Sequence, residues 1–441
     1  MQHLPLLPVG RPATGRRHPA CRRPLAVASL PSKPGSRRVR QLVFITCVLA
    51  AAFVSEAGVG AAQLSVPPTQ TTVPMAIAAT ANAGKPLALV DVRRAEVAVP
   101  VDFAPRPDAR GRVAVGEPAL VGTLPARRWR QQPRVLDLRA ATEPEQARPS
   151  RFRFSPLNDN SLLLWEGADR VLVYNHGMIL PEGVPADRRR SSYVHPVYGL
   201  DGEVLTDDFP EDHYHHRGLF WAWPHVRIGD QHYDLWMISG VEQRFERWLA
   251  RDTAATAATL AVENGWYIGE RKVVEERIWL RAYPAGDGSR CIDVEGYWIP
   301  VDEAIELAGA AGKSYGGLTL RYAPRTDTVI TTPLGNGAED LAMQPLAWAD
   351  LSARFAGRSA FSGAALFVGD DHPDYPPTWL TRHYGALCIG WPGVKARTFP
   401  AGEPIRCRYR MWVHRDAPDQ ETIQQAYDAY RVGLNLKWTR E

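Results

Sequence analysis

The sequence predicts an all-β protein, a large β-sandwich, and three observations carry that expectation. Short apolar runs recur from Leu87 onward, each bounded by Pro, Gly, Asp or Arg clusters, which is the pattern of strands separated by turns. One segment alone, near the C-terminus, places apolar residues at helical spacing. No repeat period is visible, so a propeller is not expected. Many strands, long loops and few helices together indicate two packed sheets.

The elements follow in order. Residues 1–62 read as an export signal with an upstream extension. Arg37, Arg38 and Arg40 precede the apolar run Leu42–Val54, and small residues continue to Ala61 and Ala62, so cleavage near Ala62 is expected. The run is too short for a comfortable bilayer span. Ser36-Arg37-Arg38 hints at a twin-arginine signal, but Arg40 stands where that signal carries Phe. Residues 1–35, rich in Pro and Arg, read as an upstream extension or a misplaced start. No later apolar run could cross a membrane as a helix, so no membrane span is expected in the mature chain, which would be periplasmic or extracellular.

Residues 63–85, rich in Ala, Thr and Pro, read as a flexible linker. Residues 86–145 contain the runs LALVDV, AEVAVPVDF, ALVGTL and RVLDL and form a small β module or an N-terminal layer. The charged stretch Glu143–Arg151 marks the boundary. The main domain, 151–441, opens with RFRFSP, SLLLWEG and RVLVYNHG as successive strands. RKVVEERIWLRAYP and RCIDVEGYWIPV read as a long hairpin closed at Ala285–Gly288. Further strands are expected at SYGGLTLRYAP, SAFSGAALFVGD, YGALCIGWPG and PIRCRYRMWVH. Asp419 can N-cap a helix whose apolar face is Ile423, Ala426, Tyr427 and Tyr430.

Composition excludes some functions. The sequence pI is 8.8, yet residues 1–62 hold nine of the 52 basic residues and one of the 48 acids. The rest of the chain is net acidic, so nucleic acid is not an expected partner. Cys21 and Cys47 fall in the leader, and the three that remain argue against a disulfide framework. Cys388 and Cys407 could pair across neighbouring strands or stay as buried thiols.

The candidate site is HPVYGLDGEVLTDDFPEDHYHHRGLFWAW, His195 to Trp223. Seven of the 12 histidines lie between His176 and His232, a density neither a solvated face nor a core requires. On an extended segment His213 and His215 would share one face and His216 the other. With His195 they could hold a divalent transition metal; no distant third-ligand motif accompanies them. Without a metal, a histidine can move protons near neutral pH. Arg217 could bind a carboxylate or steady an enolate oxygen, and Glu276 or Asp293 could supply the complementary carboxylate. For Glu276 and Asp293 the plainer reading is a cross-strand ion pair. Trp221, Trp223, Trp236 and Trp379 could line a sugar cleft, although single tryptophans are more often core. Lys313 sits in a glycine-rich turn that lacks the order of a phosphate loop. Neither GxSxG nor GxGxxG occurs, which weighs against α/β-hydrolase and dinucleotide-binding folds.

The histidine stretch, together with KSYGGLTLRYA, HPDYPPTW, RHYG and RCRYRMWVH, resembles the PmoA-like family over residues 151–436. That domain of unknown function carries the label methane oxygenase, which does not suit a chain without spanning helices. The resemblance implies a bacterial, exported protein with a β-supersandwich similar to aldose mutarotases. It carries over His195, Asp212, His213, His215, His216 and Arg217 as site positions.

The lead reading is an exported carbohydrate-active enzyme, a lyase, epimerase or hydrolase, whose ligand is a saccharide or an oxidised sugar. Its catalytic set is His213, His215, His216, Arg217 and Glu276. Its substrate-binding set is His195, Asp212, Trp221, Trp223, Lys313 and Trp379. The alternatives are a metalloenzyme with His195, His213 and His215 as ligands, and a non-catalytic carbohydrate-binding envelope protein.

Overall fold

Residues 62–79, 86–126, 133–142 and 149–440 are described by a computed structural model. The expected leader, residues 80–85 and most of the expected boundary at 143–148 lie outside them. Two nine-stranded antiparallel sheets dominate. The first, here the site sheet, places Ala342–Pro345, Thr378–Arg382, Ala386–Gly390, Gly317–Arg321 and Leu219–Ala222 side by side. Tyr193–Val197, Asp169–Asn175, Ser161–Glu166 and Phe152–Asn158 complete it. The second, the back sheet, is built on a meander of three long strands, Glu242–Thr253, Ala258–Ile268 and Arg271–Ala282. The expected hairpin follows, with Arg271–Ala282 paired to Ser289–Pro300 in continuous register.

One core joins the sheets. Trp221, Leu318, Leu387 and Trp379 of the site sheet belong to the same buried cluster as Val262, Ile278, Val294 and Met411 of the back sheet. Alternation explains it: successive side chains of a strand point to opposite faces, so each strand sends every second residue inward. Leu219–Ala222 is buried at all four positions, because loops cover its outer face as well. Such doubly covered strands read as unbroken apolar runs.

The N-terminal layer corrects the expected linker. Ala62–Val66 and Val73–Ala78 are strands with Leu64, Val66, Val73 and Met75 fully buried. They join Leu87–Asp91, Arg94–Ala104, Ala119–Leu124 and Arg134–Ala140 in a seven-stranded sheet. Its last strand is Trp438–Arg440 from the C-terminus, paired with Ala62–Val66. Residues 86–145 are therefore not a module by themselves, since strands from both sides of that range complete the sheet.

Helix α1 spans Gln420–Asn435, and Asp419 Oδ1 accepts the Thr422 N–H at 2.8 Å as its N-cap. Ile423, Ala426, Tyr427 and Tyr430 are its buried face, as the spacing predicts. They pack on Trp348, Phe367 and Trp412 of the back sheet. Cys388 and Cys407 are free thiols, each buried. Among the described residues no helix is long and apolar enough to cross a membrane.

Candidate functional site

On its outer face the site sheet carries a direct cross-strand row: Phe220 opposite Thr319, Thr319 opposite Cys388, Cys388 opposite Leu380. Thr319, Cys388 and Leu380, with Ala386 beside them, floor a cavity of about 290 Å³. Its walls come from three loops bearing the histidines, Trp236 with Met237, and Lys313 with Tyr315. Tyr384 and Arg382 close the remaining side.

The histidine segment is a pair of turns, not an extended strand. His213 N–H donates to Pro210 O at 2.9 Å and His216 N–H to His213 O at 2.8 Å. Turns rotate the side chains away from strand alternation, so His216, expected on the opposite side, stacks on His213, and all three imidazoles border the same cavity. The His213 and His216 rings stack at 4.5 Å and 7°, and Tyr384 stacks on His213 at 5.1 Å. His215 meets both imidazoles edge-on.

Arg217 holds this turn in place. Its guanidinium, fully buried, donates to Tyr214 O at 2.8 Å and His216 O at 2.5 Å, and also to Arg188 O. It lies 3.3 Å from the Phe209 ring centroid and 3.6 Å from Asp208 Oδ1. Burial lowers Arg217 to about 10 and raises the Asp208 carboxyl to about 7. Loop carbonyls take hydrogen bonds from both its Nη atoms, and Arg217 is not among the residues that line the cavity.

Asp212 has the opposite situation. Arg321 Nη2 donates to its two oxygens at 2.8 and 2.9 Å, and His213 Nδ1 lies 2.9 Å from Oδ2. That nitrogen is within ion-pair reach but off the line of an ideal hydrogen bond. Burial works to raise the Asp212 carboxyl, yet the contacts from His213 and Arg321 outweigh it and hold it below the ordinary value. Burial takes His215 down to about 4 and His216 further still, so both are neutral imidazoles at pH 7. His213 is the histidine with a carboxylate partner and an open face toward the cavity.

Several expected site residues sit elsewhere. Glu276 is in the core between the sheets, fully buried. Its Oε1 accepts from Asn264 Nδ2 at 2.9 Å, and its Oε2 from Gln243 Nε2, Trp266 Nε1 and Trp298 Nε1 at 2.8–2.9 Å. Three of these four neutral donors converge on Oε2 and one on Oε1, so the carboxylate is held from both oxygens. Asp293 pairs with the directly opposite Arg410, at 2.5 and 3.0 Å, on the outer face of the back sheet. Trp221, Trp223 and Trp379 are core, none more than 1% exposed, and only Trp236 among the expected tryptophans lines the cavity. His195 is not in the lining. Its Nδ1 lies 3.0 Å from Thr206 Oγ1, and burial lowers it to about 4.

The metal set fares likewise. Among the described residues no three His, Cys, Asp or Glu side chains converge to hold a metal ion. Stacked His213 and His216 rings present parallel planes, where ligands to one ion must point at a common centre.

Sequence reading missed Arg321, Tyr384, Tyr315, Thr319 and Cys388. For Arg321 a signal existed: GLTLR is buried at every position, and a cation in a buried strand needs a partner. Nothing local revealed that the partner was Asp212, 109 residues away.

The described residues thus centre on two large packed antiparallel sheets, flanked by smaller ones, with a loop-roofed cavity on the outer face of the site sheet. Residues 163–428, more than half of the chain, match the family of unknown function DUF6807, and the protein belongs to that family. This corrects the expected PmoA-like membership, since nothing links the matched family to PmoA-like proteins or methane oxygenase. The positions carried over from that resemblance stand on their geometry alone. No curated protein matches the chain.

Proposed function

We propose that the protein is a carbohydrate-active enzyme that binds a saccharide or oxidised sugar over Thr319 and Cys388 and moves a proton through His213. The observation that supports this reading is the chain Arg321–Asp212–His213 ending at the cavity. A carboxylate at Nδ1 keeps the proton on that nitrogen, which leaves Nε2 as the basic site. Asp212 also stabilises the imidazolium formed when Nε2 takes a proton. His215 and His216, held neutral, pack the ring without competing for that charge. Trp236 and Tyr384 offer aromatic faces to a sugar ring, and the cavity is at the small end of the range for ligand pockets.

Neither Arg217 nor Glu276 has a part in this chemistry. Arg217 sets the shape of the turn, and Glu276 holds the core. Export of the chain, with cleavage near Ala62, belongs to the same proposal and places its substrate outside the cytoplasm.

The test is turnover of a panel of neutral and acidic mono- and disaccharides, followed by NMR, for the wild type, His213→Ala and Asp212→Asn. A general acid–base group contributes about a hundred- to ten-thousand-fold, so His213→Ala should abolish detectable turnover. Asp212→Asn should lower kcat with little change in KM, because the ring stays but its tautomer is no longer fixed. Full activity in both variants would sink the reading.

A further inference from the structure

We infer that the ligand of this cavity is a sugar carboxylate of the uronate type, anchored through its carboxylate by Lys313. The inference rests on the proton-transfer reading above and narrows its substrate. The charged groups of the lining are donors only, two cations and no carboxylate. Lys313 brings three N–H donors, and among the described residues no acidic side chain pairs with it. Arg382 adds a second cation, but it is engaged by Leu341 O at 3.0 Å, Thr381 O at 2.9 Å and the Asp340 carboxylate at 3.8 Å, so Lys313 is the one that carries the anchor. Tyr315 and Tyr384 present hydroxyls, and burial keeps both protonated well past neutral pH.

Acceptors are scarce. The lining holds no Asp, Glu, Asn or Gln, and the Cys388 sulfur already accepts from Thr319 Oγ1 at 3.0 Å. Imidazole nitrogens and the hydroxyl oxygens of Thr319, Tyr315 and Tyr384 are the side-chain acceptors that remain, and none of them is anionic. A neutral sugar brings a hydroxyl on nearly every carbon, and each buried O–H left without an acceptor weakens binding. A sugar acid replaces one such hydroxyl by a carboxylate, which has about four acceptor positions and no donor. Asp212 does not reverse this balance, since it stands behind His213, paired with Arg321, and is not among the lining residues.

The lysine also stands on a fixed support. In its turn Lys313 N–H donates to Ala310 O at 3.1 Å and Ser314 N–H to the same oxygen at 2.8 Å. Ser314 is buried with φ 60, and its carbonyl rests on the backbone of Gly390, where a Cβ would lie 2.1 Å away. Only glycine at 390 lets the loop seat so close to the floor. The backbone that carries Lys313 is thereby fixed beside the cavity, and its exposed side chain borders the cavity mouth.

The experiment is calorimetric titration of the full chain with galacturonate and glucuronate, and with galactose and glucose as their neutral counterparts. The wild type should bind the acids at least about tenfold more tightly than the neutral sugars, with affinity falling as salt rises. Lys313→Gln should remove most of that preference, and Lys313→Arg should restore it. Unchanged circular dichroism in both variants shows that they fold. Equal binding of acids and neutral sugars, or an unaltered preference in Lys313→Gln, would overturn the inference. Neutral sugars bound and turned over in a His213-dependent way would overturn it while leaving the proton-transfer reading intact. Acids held by Lys313 with no turnover would uphold it and remove that reading instead.

Discussion

Glu276 and Asp212 are both carboxylates within hydrogen-bonded networks, and the contrast between them separates support from chemistry. Glu276 is sealed between two sheets and surrounded by two indoles and two carboxamides. Both oxygens are hydrogen-bonded, and with the side chain fully buried no ligand can reach it. Asp212 lies on the outer face, 47% exposed, with a cation behind it and an imidazole in front. Its network ends at an open cavity. Polar density in a sequence marks where hydrogen bonds must be satisfied; access decides whether anything else can be done with them.

The contrast can be tested from its largest effect downward. Glu276→Ala should cost about 3–5 kcal/mol of stability, because four buried donors lose their acceptor. Denaturant unfolding measures this, and a loss under about 1 kcal/mol would dissolve the distinction. Arg217→Met should cost at least about 2 kcal/mol, since three loop carbonyls lose their donor. It should also loosen the histidine turn, which amide exchange at His213–His216 would report.

Acid should destabilise the protein through its buried histidines. His195 and His215 are lowered to about 4 by burial, against about 6.5 in an unfolded chain. Between those values the unfolded state binds more protons than the folded one, so stability rises with pH across the window. It is fully present above about pH 6.5 and is lost as pH falls toward 4. Melting temperatures from pH 7 to 4.5 should decline, and His215→Gln should flatten part of the slope. An identical slope in that variant would place the titrating groups elsewhere.

The smallest stability effect belongs to His213→Ala. Its side chain is 34% exposed, so the melting temperature should move by no more than one or two degrees, equivalent to about 0.5 kcal/mol. If turnover vanishes while stability holds, the Asp212 side of the comparison is chemical. If stability collapses as it does for Glu276→Ala, both networks are structural.

What could be read without coordinates was local. The hairpin of Arg271–Ala282 with Ser289–Pro300 and the helix capped by Asp419 both announce themselves within 30 residues, through turn residues, alternation and 3–4 spacing. The histidine stretch was legible for the same reason, as a contiguous cluster. Roles within it were not. Arg217, beside the histidines in sequence, turned inward to hold carbonyls, while Arg321 reached Asp212 from a strand 109 residues on. The linker expected at 63–85 failed because its strands depend on distant partners: Ala62–Val66 on Trp438–Arg440 and Arg134–Ala140, Val73–Ala78 on Ala119–Leu124. Composition alone cannot show a pairing of that range.

The sequence by itself therefore determined the sandwich, its long hairpin, its C-terminal helix and the stretch where polar groups concentrate. Each follows from periodicity and from the conformations that Gly, Pro and Asp allow. Tertiary structure alone decided which tryptophans are core, which carboxylate is sealed, and that Lys313, Tyr384 and His213 share one cavity. Those outcomes depend on burial and on contacts between distant strands, which no local pattern encodes.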